Sequence, residues 1–221
     1  RRMVEWVVLH VLLHFRRQPL YAAQQKEALW KPRRQPGAPE VRVGIMGMGV
    51  LGQAALAGLA PFAFDIAGWS RSAHRDATIP MFTGREELGD FLARTDILIS
   101  LLPLTPDTRG ILAMPLFERL ARDGALGGPI LINAGRGGLQ VEADIVAALR
   151  TGILSAASID VFETEPLPAD NPLWSAPNLV ITPHNSAPSA PYELVPGILA
   201  ALDDFEAGRP LRNVVDVKAA Y

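Results

Sequence analysis

Apolar runs of strand length punctuate the chain: VRVGIMG (41–47), FDIAGWS (64–70), DILISLLP (96–103), PILINAG (129–135), ILSAASIDVF (153–162) and NLVITPH (178–184). Within each run the apolar character hardly alternates. A strand with one wet face would alternate with period two, whereas a near-continuous run belongs to a strand covered on both faces, as in a parallel sheet. The stretches between these runs carry helical spacing: one from the glycines near 47–52 to Leu59, then 85–95, 116–124 and 141–152. A further helix is expected over 189–208 in spite of Pro196, which would kink or delay it. Residues 1–29 also read as helix, broken near Pro19, with Val4, Val7, Val8, Val11 and Leu12 on one stripe. KPRRQPGAPE (31–40) reads as a linker and the tail from Arg209 as extended. The alternation predicts an α/β fold, a doubly wound parallel sheet.

Composition narrows the function more than the fold. The chain of 221 residues suits one large domain, or a domain with part of a second. A net charge of −2 gives no general attraction to nucleic acid or to an anionic membrane surface, so neither is an expected partner. The apolar opening run is interrupted by His10 and His14, ends in Arg16 and Arg17, and is too short to span a bilayer. With no cysteine there is no disulfide, no thiolate nucleophile and no cysteine-bound zinc, which fits a reducing, cytoplasmic setting. Lysine occurs only at 26, 31 and 218, which excludes any mechanism needing a lysine in the middle of the chain. The first residue is Arg, and the chain is expected to begin partway through a longer protein.

Gly47, Gly49 and Gly52 stand as G-x-G-x-x-G directly after a predicted strand and at the opening of a helix. In that context Gly47 permits a tight turn, Gly49 lets a pyrophosphate approach the backbone, and Gly52 lets the helix pack on the strand. The loop Gly47, Met48, Gly49, Val50, Leu51 and Gly52 would then hold a dinucleotide at the helix N-terminus, in a Rossmann-type domain. NAD-binding domains place an acid at the end of the second strand, on the ribose 2′-hydroxyl; here the chain has Ser70, Arg71 and Ser72. Arg71 follows Gly52 by 19 positions, and Asp65 comes too early in the strand to be the missing acid. An Arg flanked by hydroxyls welcomes a 2′-phosphate, so NADP(H) is the preferred cofactor and NAD(H) a weaker alternative, with Arg75 as a second cation.

INAGRG (132–137), DVFETEPLP (160–168) and TPHNSAP (182–188) each close a predicted strand, at the sheet edge where ligands bind in open α/β folds. They bring a fork of donors suited to a carboxylate (Arg136), an acid (Glu165) and a group that exchanges protons near neutrality (His184). His10 and His14 have the i, i+4 spacing of a metal pair, but no nearby carboxylate completes a set, so no metal is expected. His74 is expected at the surface or near the adenine end of the cofactor.

MGMGVLG, GWSRS, LLPLTPDTRGIL, INAGRG, DVFETEPLP and ITPHNSAP together, in order and spacing, resemble the D-isomer-specific 2-hydroxyacid dehydrogenases, and within them the glyoxylate/hydroxypyruvate reductases. The resemblance covers nearly the whole chain. It implies NADPH-dependent reduction of a small 2-oxo acid to the D-2-hydroxy acid. Arg136 would bind the substrate carboxylate. His184 would be the general acid at the carbonyl oxygen. Glu165 would orient His184 and favour its protonated form. Asp160 would sit near the nicotinamide carboxamide, Leu102, Pro103 and Ala134 would line the cofactor cleft, and Thr108 would lie near the pyrophosphate. It implies a homodimer paired through the cofactor domain, with the stripe of residues 4–15 as a dimer or interdomain surface.

The implied organisation is a helix opening the cofactor domain (1–30), a dinucleotide-binding domain (31–188), and an interdomain helix with the tail of a substrate domain (189–221). The rest of that substrate domain would precede the chain, so the chain alone is expected to bind NADPH but turn over poorly. The departures from the family pattern fall at AGRG and at Asn185 and Ser186, where substrate preference would be affected. Short-chain dehydrogenases need Tyr-x-x-x-Lys, and none of the tyrosines at 21, 192 and 221 has it; β-hydroxyacid dehydrogenases need a central lysine, absent from 32–217. A non-enzymatic NAD(P)-sensing module on the same fold is the remaining alternative. It would have no need of Arg136, Glu165 and His184.

Overall fold

A computed structural model describes residues 1–72, 78–188, 191–211 and 214; His74 and Arg75 lie outside the described residues. The chain forms two units, Arg1–Ser186 and Ala187–Tyr221. In the first, seven strands make one parallel sheet: β1 (Arg42–Met46), β2 (Asp65–Ser70), β3 (Met81–Thr83), β4 (Ile97–Ser100), β5 (Ile130–Asn133), β6 (Ala156–Ile159) and β7 (Leu179–Ile181). Their spatial order is β3-β2-β1-β4-β5-β6-β7, so the order reverses between β1 and β4. Ligands of doubly wound sheets bind at such a reversal, outside the carboxyl ends of the strands.

The near-continuous apolarity of the runs has a direct cause. In β4, Ile97 and Ile99 enter the core on one face while Leu98 enters the core on the other; in β5, Ile130 and Ile132 are opposed to Leu131 in the same way. One face is covered by α1 (Arg2–Phe15) and α3 (Val50–Leu59). The other is covered by α4 (Leu88–Ala93), α5 (Met114–Phe117) and α6 (Glu142–Thr151). The second unit contains α7 (Pro191–Glu206), with Pro196 inside it and Leu194, Ile198, Leu202 and Phe205 exposed.

Three expectations change. The opening helix is two, α1 and α2 (Gln18–Lys26); the break falls at Arg17, whose φ of 54° is left-handed, and Pro19 sits in the first turn of α2, where a missing N–H costs nothing. The helices expected over 85–95 and 116–124 contract to α4 and to the single turn α5. The edge strand β3, only three residues long and half-buried, gave no period to read. The apolar stripe of α1 packs at least in part on the chain's own sheet, with Val4, Val8 and Leu12 half-buried. Val7 and Val11 are fully buried with Met3, Trp6 and Phe15 in the core beneath β1, β4 and β5, and a side chain at Gly58 of α3 would strike Val4.

That helix also settles what His10 and His14 do. His10 Nδ1 and His14 Nε2 each lie 2.8 Å from the hydroxyl of Ser158, on β6, and all three residues are buried. The Ser158 hydroxyl can donate to one ring and accept from the other, an arrangement open to two neutral imidazoles. Burial lowers His10 to about 4, against a smaller opposing pull from Asp160. Burial also lowers His14 to about 4, helped by His10. The unfolded chain therefore holds more protons than the fold between pH about 4 and about 6.5, and stability falls as pH drops through that window. Urea unfolding should show a nearly constant midpoint above pH 7 and a loss of a few kcal/mol by pH 5, roughly halved in His14→Gln. A midpoint equal at pH 7.5 and 5 would contradict the buried neutral pair.

Candidate active site

The glycine turn leaves β1 at the reversal of strand order. Gly47 has φ 96°, and a Cβ there would sit 2.8 Å from the Leu101 carbonyl oxygen. A Cβ on Gly52 would collide with the Gly47 carbonyl, so α3 packs directly on the turn. Gly49 faces open space, and no side chain caps α3 there, which leaves its first N–H groups for an anion. Met48 buries its side chain and offers only backbone, while Val50 and Leu51 are exposed. These features fit a dinucleotide pyrophosphate. Gly49→Ala should leave the melting temperature within about 2 °C yet weaken cofactor binding at least ~10-fold, because only the approach to the backbone is obstructed. Gly52→Ala should destabilise the fold itself by ~1–3 kcal/mol. Equal effects of the two on stability would contradict this division.

At the end of β2, Ser70 is nearly buried and donates to the Ser72 carbonyl at 2.6 Å, while Arg71 and Ser72 are exposed. Asp65 stands at the opposite end of β2, paired with Arg94 at 2.6 Å. The strand end thus presents a cation and hydroxyls. Beyond β4, Leu102 is buried and Pro103 exposed. Thr108 Oγ1 donates to the Pro103 carbonyl at 2.7 Å and accepts from Thr105 N–H at 2.8 Å, so its hydroxyl holds the turn that carries Pro103. Ala134, just past β5, is buried.

The chemistry-bearing side chains follow β5, β6 and β7. His184 Nδ1 meets Glu165 Oε2 at 2.7 Å, and the other carboxylate oxygen accepts Phe162 N–H at 2.9 Å. Burial pushes the Glu165 carboxyl up, but His184 and the Phe162 N–H outweigh it and hold the group below its ordinary value. The ionised carboxylate therefore accepts a hydrogen bond from Nδ1–H and leaves Nε2 facing away from it. His184 itself has φ 49°, a left-handed conformation that a non-glycine residue keeps only when its surroundings enforce it.

Asp160 enforces it. Its backbone carbonyl accepts His184 N–H at 2.9 Å, and its carboxylate accepts Thr182 Oγ1, Asn185 N–H and Ser186 N–H at 2.5, 3.0 and 2.9 Å. Trp6 Nε1 in turn donates to Thr182 Oγ1 at 3.1 Å. Asp160 is fully buried, and its contacts tie residues 182–186 to the end of β6. Arg136 is exposed, and its Nη1 donates to the Gly135 carbonyl at 2.7 Å. Glu165 and His184 are thus in direct contact, while Arg136 stands on a separate loop. Trp6, Asn133, Gln140 and Thr182 join this site without having been singled out in the sequence. Asn133 carried a signal, a polar residue closing an apolar run.

Among the described residues no group of three or more metal-ligating side chains comes together, and no helix is long and apolar enough to cross a membrane.

A glycine turn at the strand-order reversal, with an acid-oriented histidine at the same carboxyl edge, defines a dinucleotide-binding oxidoreductase domain. The family model described as D-isomer specific 2-hydroxyacid dehydrogenase, NAD binding domain, matches residues 8–186, and the chain belongs to that family. Among curated relatives, glyoxylate/hydroxypyruvate reductase A of Yersinia enterocolitica is 39% identical over 220 residues, 100% of this chain and 69% of its own length. Among solved structures, a probable 2-hydroxyacid dehydrogenase from Rhizobium etli in complex with NADP, HEPES and L(+)-tartaric acid is 48% identical, with a TM-score of 0.95 over 100% of this chain and 69% of its own. The NADPH-dependent glyoxylate/hydroxypyruvate reductase from Sinorhizobium meliloti, in complex with NADP and sulfate, gives 48% identity and a TM-score of 0.96 over the same shares. The family resemblance and the doubly wound fold expected from the sequence are both borne out.

Proposed function

We propose that this chain carries the NADPH-binding and proton-donating part of a reductase that converts glyoxylate or hydroxypyruvate to the D-2-hydroxy acid. The observation that carries the reading is the 2.7 Å contact between His184 Nδ1 and the Glu165 carboxylate, on a loop held by buried Asp160. The names of the relatives supply the substrate class.

The glycine loop and Ser70, Arg71 and Ser72 would hold NADPH, which when bound supplies the hydride for the carbonyl carbon. Arg136 binds the substrate carboxylate and draws electron density from the adjacent keto group. Glu165 keeps the His184 ring in one orientation through Nδ1. Nε2 then delivers a proton to the carbonyl oxygen as negative charge develops there, so carbon and oxygen together gain the two hydrogens of the alcohol. The imidazole is left neutral and takes a proton from water before the next turnover. Two chains pairing through the cofactor domain complete the reading.

The intact protein, assayed by NADPH consumption, should reduce glyoxylate and hydroxypyruvate, and do so faster with NADPH than with NADH. Turnover of neither acid, with cofactor binding demonstrated in the same sample, would overturn it.

A further inference from the structure

Arg136 and the Glu165–His184 pair sit on different loops, yet a 2-oxo acid must meet both within one short molecule. Backbone pairing does not set that spacing. The β5–β6 ladder ends at Asn133 opposite Ile159, followed by one bond from Asp160 N–H to the Asn133 carbonyl. Beyond it, side chains take over. Asn133 Oδ1 accepts Gly135 N–H at 3.1 Å, and Asn133 Nδ2 donates to Gln140 Oε1 at 2.8 Å. Gln140 Nε2 then donates to the Val161 carbonyl at 2.9 Å. Asn133 is 0% and Gln140 2% exposed, so both amides act out of reach of any ligand.

The relay ends beside each functional group, at the residue before Arg136 on one loop and at the residue before the anchor of Glu165 on the other. Gly135 precedes Arg136 and accepts from its guanidinium; Val161 precedes Phe162, whose N–H holds Glu165. Where the two loops touch, a side chain at Gly137 would collide with the Phe162 carbonyl, so their separation has no slack. A buried amide with both ends paired is directional, and breaking one end leaves a desolvated donor or acceptor that pulls its loop out of place.

We infer that Gln140 is a positioning residue, whose amide, with that of Asn133, fixes the Arg136 loop against the loop of Glu165 and His184. The inference rests on the reductase reading for its kinetic test.

Gln140→Met keeps the volume and removes both bonds of the side chain. In the intact protein it should lower kcat/KM for glyoxylate ~10–100-fold and weaken inhibition by oxalate, a non-reacting dicarboxylate, while the KM for NADPH stays within twofold. Gln140→Glu, which keeps the acceptor for Asn133 and loses the donor to Val161, should shift the same quantities in the same direction, and serves if the Met variant does not fold. Substrate parameters within twofold of the parent would overturn the inference. So would equal losses of NADPH and oxalate affinity, which mean general loosening. If the parent reduces neither acid, the reductase reading fails and the relay is judged by hydrogen exchange. Faster exchange confined to 134–138 and 161–165 in the variant supports it, and unchanged exchange there overturns it.

Discussion

His184→Ala in the intact protein should lower the turnover of glyoxylate and hydroxypyruvate ~10²–10⁴-fold, the range lost with a positioned general acid. NADPH affinity should stay within twofold. The separation is built into the loop. Asp160 binds the 182–186 segment through backbone N–H groups and Thr182, and none of these contacts uses the imidazole. Removing the ring therefore deletes the proton donor and leaves the loop anchored. Alanine also relaxes nothing at φ 49°, since it is no better suited than histidine to a left-handed backbone. The pH dependence has a defined sign. The Glu165 carboxyl lies below its ordinary value, so the group that orients His184 stays ionised through the mildly acidic range and is lost only as pH falls through that lowered value. Acid loss of activity above pH 5 would thus reflect a group other than Glu165. Retained turnover in His184→Ala, measured with saturating NADPH, would remove the histidine from the chemistry.

The parts legible in the sequence were those that repeat or that punctuate. Central strands such as Ile97–Ser100 and Ile130–Asn133 alternate their apolar residues between two cores, so continuous apolarity was a sound sign of double coverage. The glycines at 47, 49 and 52 announced themselves by spacing, and the structure shows why two of them tolerate no side chain. Partners within the chain were harder to read. The stripe on α1 correctly marked a buried face but not what buries it, and the answer, the sheet of its own domain, is a tertiary fact. His10 and His14 shared a face as their spacing required, yet their partner Ser158 lies 148 residues from His10 along the chain. The sequence pointed to Asp160 but not to the contacts it makes, and it gave no sign of Gln140: both act on groups of loops distant along the chain, and such contacts leave no periodicity.

Arg71→Ala should weaken NADPH binding ~10–100-fold and leave NADH binding nearly unchanged, the loss expected when a charged hydrogen-bonding fork is taken from a phosphate. The preference would come from the charge at the end of β2. The carboxylate of that strand, Asp65, is at the opposite end and committed to Arg94, so it cannot accept the 2′-hydroxyl of NADH or repel the 2′-phosphate of NADPH. Arg71 and Ser72 are exposed where a ribose would lie, and Ser70, nearly buried, fixes the turn by its bond to the Ser72 carbonyl. A phosphate contact at an exposed position is screened by salt, so the parent's preference for NADPH should shrink between 0.05 and 0.5 M NaCl by about the factor that Arg71→Ala removes at low salt. In the variant, ionic strength should have little further effect on the ratio of the two affinities. Fluorescence titration with both cofactors gives all four constants. A parent that binds NADH as tightly as NADPH, or a variant whose preference is intact, would move recognition of the 2′-phosphate away from Arg71. A preference lost together with its salt dependence would locate it there, because only a charge-to-charge contact ties the two together.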